Sequence, residues 1–315
     1  MFLILLLFML FASTFTIGKA ALLYTEPIFF IGTRMLIAGA LLISYQALRG
    51  KKLRFALSDV GLLAQICFFQ YYLAFLLEFW ALQYVSASKT CLLFNLAPFV
   101  TALISFFLLG EYLTKKKFIG LVVGFVGLMP ILQQSAPDEQ LAGSVSWLSL
   151  PEIALLGSVF CASYGWILIK KIQDRGYSVL SVNAVTMAAA GVASLITSFV
   201  VEGMPHITPP EACHSSTLPW LCQMFGAYGA GVAIFLFYLF ALILIANVAA
   251  FNLYGYLLSF YSATFLAFAG FITPLFTVLF DWLWLGQMVG KEFWLSMSMV
   301  SLGLFIFYIQ ELKEK

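Results

Sequence analysis

The chain has 315 residues, of which 63% are hydrophobic and 10% charged, with a mean hydropathy of +1.02 and a net charge of +2. No water-soluble domain of this size needs so much apolar surface, so most of it must face lipid or neighbouring helices. The small net charge gives no reason to expect nucleic acid as a partner.

Apolar runs of about 18–22 residues predict ten membrane helices. They fall near 1–24, 27–47, 57–82, 86–108, 115–133, 150–172, 178–201, 231–257, 262–284 and 290–311. The runs are continuously apolar rather than alternating, which excludes a closed β-barrel. No basic residue precedes the first run, which argues against a cleaved signal peptide. Segment 202–229 contains Pro205, Pro209, Pro210 and Pro219 and reads as an external loop or a partly ordered cap. Cys213 and Cys222 share that loop, where an oxidising periplasm makes a disulfide and a pair of free thiols equal expectations. His206 and His214 lack carboxylate support, so no metal is expected, and no cofactor. Cys67, Cys91 and Cys161 lie inside predicted helices as small apolar side chains.

Basic residues set the orientation. Arg49, Lys51, Lys52 and Arg54 follow the second helix, Lys115, Lys116 and Lys117 the fourth, and Lys170, Lys171 and Arg175 the sixth, while Lys313 and Lys315 close the chain. With ten helices all of them share one side, opposite Lys291 and seven acids: Glu26, Asp138, Glu139, Glu152, Glu202, Glu211 and Glu292. The expected placement is a multi-pass protein of a bacterial inner membrane with both termini cytoplasmic.

A segment recurs. Val85-Ser86-Ala87-Ser88, Pro98 and Gly110-Glu111 return as Tyr261-Ser262-Ala263-Thr264, Pro274 and Gly286-Gln287, each pair 176 residues apart. Five helices per half is an odd number, so the second copy enters from the opposite side. The expected fold is an all-α membrane protein of ten transmembrane helices in two inverted five-helix repeats. Residues 1–133 form the first repeat, 134–149 an external linker, 150–311 the second repeat with loop 202–229, and 312–315 a cytoplasmic tail. Such duplication with mid-span prolines marks a secondary transporter whose substrate site lies between the halves. Pro98 and Pro274 each remove a backbone donor and are candidate hinges.

Ionisable side chains within lipid are costly and normally face a cavity or the bundle interior. Lys19, Arg34, Glu78, Lys89 and Asp281 are such groups, and all fall in the outward half. Tyr71, Phe75 and Glu78 share one helical face, and the repeat offset carries them to Asn247, Phe251 and Tyr254. The two stripes are expected to meet at the centre, where a cation could rest on aromatic faces with Glu78 as counter-charge. Lys19 or Arg34 could take a carboxylate, Arg with a bidentate fork. Asn95 is expected to satisfy carbonyls freed by Pro98, with Asn183 and Asn252 as further interhelical donors. Tyr164 and Trp166 are further candidates for the cavity wall. The bland readings are helix glue for the stripes and interfacial snorkelling for the lysines. Gly120, Gly124 and Gly127 allow close helix contact, either within the chain or at a homodimer face.

Residues Ala81 to Ser88, Leu96-Ala97-Pro98, Leu109-Gly110-Glu111 and Gly120 through Gly127 resemble the drug/metabolite transporter superfamily, specifically its ten-helix EamA-type members. Ser13-Thr14-Phe15 with Lys19, and Arg34 with Ala38 and Gly39, are similar to that family's first two helices. Gln287 stands where the family's second Gly-Glu pair has its acid. The resemblance implies alternating-access transport of a small organic metabolite. The overall look also resembles S-adenosylmethionine carriers of chlamydial type, with no substrate-specific motif behind it, and implies exchange for S-adenosylhomocysteine. Amino-acid or other metabolite export is the alternative.

No Walker-type run is present, which disfavours an ATP-driven pump, and no histidine lies within the helices, which removes the commonest general base and disfavours an enzyme. A non-transporting scaffold or receptor is the reading from another class. It would need no intramembrane charge.

Overall fold

The computed structural model describes residues 2–51, 53–109, 114–133, 139, 142–145, 148–204, 207, 219–261, 266, 269–286 and 288–314. Its helices are α1 (Phe2–Ala21), α2 (Pro27–Leu48), α3 (Leu57–Leu82), α4 (Ala87–Phe94 then Ala97–Leu109), α5 (Lys115–Val126 then Met129–Leu132), α6 (Leu150–Gln173), α7 (Val179–Val201), α8 (219–258), α9 (Gly270–Leu285) and α10 (Lys291–Glu314). Among the described residues, seven of these, α1–α4 and α6–α8, contain spans long and apolar enough to cross a membrane. A short antiparallel hairpin, β1 (Ser144–Val145) on β2 (Leu148–Ser149), precedes α6.

The helix starts have identifiable causes. Ser149 and Glu152 form a reciprocal capping box on α6, and Ser178 caps α7. At α2, Pro27 occupies the first turn and the Glu202 carboxylate accepts Ile28 N–H at 2.7 Å and Phe29 N–H at 2.9 Å. A carboxylate at the end of α7 thus caps α2 and answers its dipole. α8 begins at Pro219, inside the segment expected to be loop. A proline at the first helical position gives up an N–H that had no partner anyway, so it starts a helix as readily as it marks a loop. Pro205, His206, Pro209, Pro210, Cys213 and His214 lie outside the described residues, as does the Cys222 side chain, and with them the choice between a disulfide and free thiols.

Both mid-span prolines follow interruptions. α4 breaks at Asn95 and Leu96 before Pro98, and α9 opens with a 3-10 turn, Gly270–Ile272, before Pro274. α3 and α8 each contain a π-helical stretch, Ile66–Leu73 and Ile243–Ala250, at nearly the same place in the repeat. In α8 the Asn252 amide donates to the carbonyls of Asn247 and Val248 at 3.1 and 2.9 Å, partnering carbonyls of that stretch.

Lipid tails are as apolar as leucine, so helices associate in a membrane by close packing more than by apolar burial. Two helix pairs rely on glycine. α2 meets α7 where Gly39 faces Ala188 and Gly191 faces Leu36. A Cβ at Gly39 would stand 2.7 Å from the Ala188 Cα. α5 meets α10 where Gly303 faces Gly120 and Gly124, with Gly127 against Met299. The glycine face of α5 is therefore filled within the chain. Gly39→Val and Gly303→Val should each cost on the order of 1–3 kcal/mol, read as a lower thermal midpoint of the detergent-solubilised protein. Gly61→Ala should not lower it, since nothing lies within 4 Å of a Cβ there and alanine is the better helix former.

Candidate functional site

α1, α2, α3, α4, α6, α8 and α9 enclose a cavity with about 1140 Å³ of unfilled space including its mouth. Helices from both halves of the chain therefore wall it, as a site between two repeats requires.

The charged end is set by Arg34 on α2 and Glu78 on α3. Arg34 is 1% exposed, and its Nε and Nη2 have no hydrogen-bond partner among the described residues. Its guanidinium carbon lies 4.9 Å from the ring centres of both Phe75 and Phe79. Aromatic faces offset only part of the cost of burying a charge, so this fork is set to accept an anion, best a carboxylate that takes two donors at once. Glu78 is half-buried and makes no hydrogen bond or ion pair among the described contacts; it attracts Arg34 from beyond ion-pair distance, which leaves its oxygens open to a cation.

An aromatic wall adjoins this end, where Phe75 meets Phe251 at 5.8 Å. Trp166 of α6 stacks on Phe251 at 5.6 Å and 18°, and its ring centre lies 4.0 Å from that of Tyr254. Phe11 of α1 meets Phe251 edge-on at 5.7 Å. Three further lining residues each carry a buried polar atom without a partner among the described residues: Gln70 Oε1, Asn95 Nδ2 and Ser163 Oγ. Buried polar groups are almost always paired, so a concentration of unpaired ones around one cavity marks a place for ligand or water.

Of the residues expected from sequence, Arg34, Phe75, Glu78, Asn95, Phe251 and Tyr254 line this cavity, as does Trp166. Asn95 does not serve its helix carbonyls as expected, because its Nδ2 makes no hydrogen bond. Tyr71 and Asn247 lie off the wall. The Tyr71 hydroxyl donates to Asn183 Oδ1 at 2.7 Å, and the Asn247 amide faces the sulfurs of Met35 at 3.1 Å and Met187 at 3.8 Å. Both sit in the π-helical stretches, where each extra residue turns the helical face by about 100° relative to an α-helix. That rotation removes them from the stripe. Tyr164 donates to Gln65 Oε1 at 2.9 Å, and Pro98 and Pro274 stand in their helices outside the lining.

The other intramembrane charges hold helices together. Lys19 donates to the carbonyls of Leu82 and Gln83 at 2.7 and 2.8 Å, where a cation answers the C-terminal end of α3. Asp281 accepts from the Thr16 hydroxyl at 2.6 Å, from Ser88 N–H at 3.0 Å and from the Ser88 hydroxyl, tying α9 to α1 and α4. Lys89 pairs with Glu139 at 2.8 Å and Glu152 at 2.7 Å, all three side chains being at most 4% exposed. The expectation that Lys19 and Lys89 face the cavity gives way to these partners. Gln70 and Ser163 were missed. Their signal, a neutral polar residue in an apolar helix, is weak on its own.

Lys89→Met would leave two buried carboxylates beside each other without their cation. We expect a loss of about 3–5 kcal/mol, measured as a lower unfolding midpoint.

Comparison with known proteins follows the same lines. Residues 1–133 and 149–309 match the EamA-like transporter family. The S-adenosylmethionine/S-adenosylhomocysteine transporter of Chlamydia trachomatis serovar L2 is 32% identical over 319 residues, covering 99% of this chain and 90% of the relative. The Chlamydia muridarum protein of the same description is 29% identical over 316 residues, covering 99% and 92%. The uncharacterized transporter YvbV of Bacillus subtilis is 30% identical over 196 residues, 61% of this chain and 60% of that one. A solved crystal structure shares the fold with a TM-score of 0.56 at 17% identity, over 98% of this chain and 96% of the other. A match along nearly the whole length, to relatives that are themselves transporters, means that the chain belongs to the EamA-like transporter family.

Proposed function

We propose that this transporter carries S-adenosylmethionine across a bacterial inner membrane in exchange for S-adenosylhomocysteine, by alternating access. The observation that carries the reading is the cavity itself, which joins an unpartnered buried guanidinium, a carboxylate and an aromatic wall. Arg34 takes the substrate carboxylate, Glu78 the ammonium, and the faces of Phe251 and Tyr254 the sulfonium. The chlamydial relatives named for this pair of compounds support the same choice. Lys19, Lys89, Tyr71, Asn247 and Tyr164 act behind the wall, holding the helices that carry it.

The reading includes ten membrane helices in two inverted repeats. Its support is the pairing of helices. α1 packs on α8 and α9 as α6 packs on α3 and α4, while α2 pairs with α7 and α5 with α10. A shift of five helices exchanges the α1 pairings with the α6 pairings and maps α2–α7 and α5–α10 onto themselves. The interruptions before Pro98 and Pro274 are the hinges, since hydrogen bonds missing there need not be broken when the halves rock.

An amino-acid exporter is the second reading, favoured by the fact that Arg34 and Glu78 alone would hold an amino-acid head. In proteoliposomes, internal S-adenosylhomocysteine should stimulate uptake of labelled S-adenosylmethionine, and Arg34→Met and Glu78→Gln should each lower it at least tenfold, about 1.4 kcal/mol or more. Stimulation by internal amino acids instead would replace the substrate. No transport by correctly folded protein would favour a scaffold. For orientation, a fluorescent fusion after Lys315 should glow, and alkaline phosphatase fused after Glu211 should be active. The reverse pattern would invert the topology.

A further inference from the structure

We propose that Gln70 of α3 and Ser163 of α6 form the subsite that reads the amino edge of the substrate's purine, an assignment that rests on the S-adenosylmethionine reading above. Gln70 is 2% exposed and Ser163 is 3% exposed. Neither Gln70 Oε1 nor Ser163 Oγ has a partner, and both residues line the cavity. Two different helices therefore bring unmatched polar atoms to one space, which apolar packing does not explain.

Their placement suits a stacked base. Ser163 and Trp166 are three residues apart on α6 and share its inner face. Gly165 lies between them, and a Cβ there would collide with Gln70 Oε1. The missing side chain lets the Gln70 amide lie against α6 at the level of Ser163 and Trp166. Trp166, stacked with Phe251 and tilted by 30° against Tyr254, supplies a flat platform. Along α3, Gln70 precedes Glu78 by eight residues, about 12 Å at 1.5 Å per residue and slightly less through the π-helical stretch. The charged head and the base thus sit at opposite ends of an extended aminoacyl nucleoside.

A carboxamide offers one acceptor and one donor side by side. The N6/N7 edge of adenine offers the complementary donor and acceptor, so the two form a bidentate pair. Hypoxanthine presents two acceptors on that edge and leaves Gln70 Oε1 facing another lone pair. The Ser163 hydroxyl, which can donate or accept, completes the edge by meeting the second N6 hydrogen.

The test is a binding competition on purified protein between S-adenosylhomocysteine and S-inosylhomocysteine, run beside the uptake assay. The wild-type protein should prefer the adenine compound by about tenfold or more. Gln70→Met, which keeps volume and loses the amide, should reduce the preference to below about threefold. Ser163→Ala should reduce it less, and both variants should still require the substrate carboxylate. Equal binding of the two compounds by wild-type protein that transports S-adenosylmethionine would overturn the subsite alone and make these atoms a water site. An undiminished preference in Gln70→Met would do the same. Should that variant fail to fold, the wild-type comparison and Ser163→Ala decide. Absence of both S-adenosylmethionine uptake and S-adenosylhomocysteine binding in folded wild-type protein would overturn the functional reading and the subsite with it.

Discussion

Within hydrocarbon every backbone N–H and C=O must find a partner inside the protein, because water is absent and each unmade bond costs several kcal/mol. This constraint explains the regular helices and limits how they can be interrupted. The π-helical stretches of α3 and α8, the break in α4 and the 3-10 turn of α9 all occur in helices that wall the cavity. Irregular backbone is tolerated there because side chains serve the displaced carbonyls, as Asn252 does in α8 and the Thr273 hydroxyl does for Gly270 at 2.5 Å. The same interruptions bend the helices around an open space.

Charge follows a related logic. A lone ion in a membrane is expensive, and most of those here are consumed by structure. Lys19 covers the end of α3, Glu202 the start of α2 and Asp281 the first turn of α4, while Lys89 joins two glutamates. Arg34 and Glu78 make no hydrogen bond or ion pair among the described residues, and both face the cavity. Their freedom gives the site its polarity, and the aromatic rings around Arg34 hold its guanidinium in place without occupying its donors.

Glycine sets the scaffold around this site. α2 against α7 and α5 against α10 approach so closely that a single methyl group would strike backbone. Among the described residues α5, α7 and α10 contribute nothing to the cavity wall, so these contacts act as the frame while α1, α3, α4, α6, α8 and α9 surround the cavity with α2.

The apolar runs alone determined the all-α membrane class and most helix bounds, because hydrocarbon solvent leaves a continuous apolar stretch few other structures. The sequence also singled out Arg34, Glu78, Phe75, Phe251 and Tyr254 for the cavity, since charge within an apolar helix and its neighbours on one face are visible in one dimension. Tertiary structure decided what depends on neighbours remote in the chain. Lys89 and Arg34 look alike as buried cations, yet one pairs directly with two glutamates and the other lies between rings, with the charge of Glu78 beyond ion-pair distance. Tyr71 and Asn247 fell off the predicted stripe because a π turn changes the phase of a helix without leaving a residue-type signature. Pro219 began a helix, the glycines of α5 found Gly303 within the same chain, and Gln70 became visible only once Gly165 made room for it.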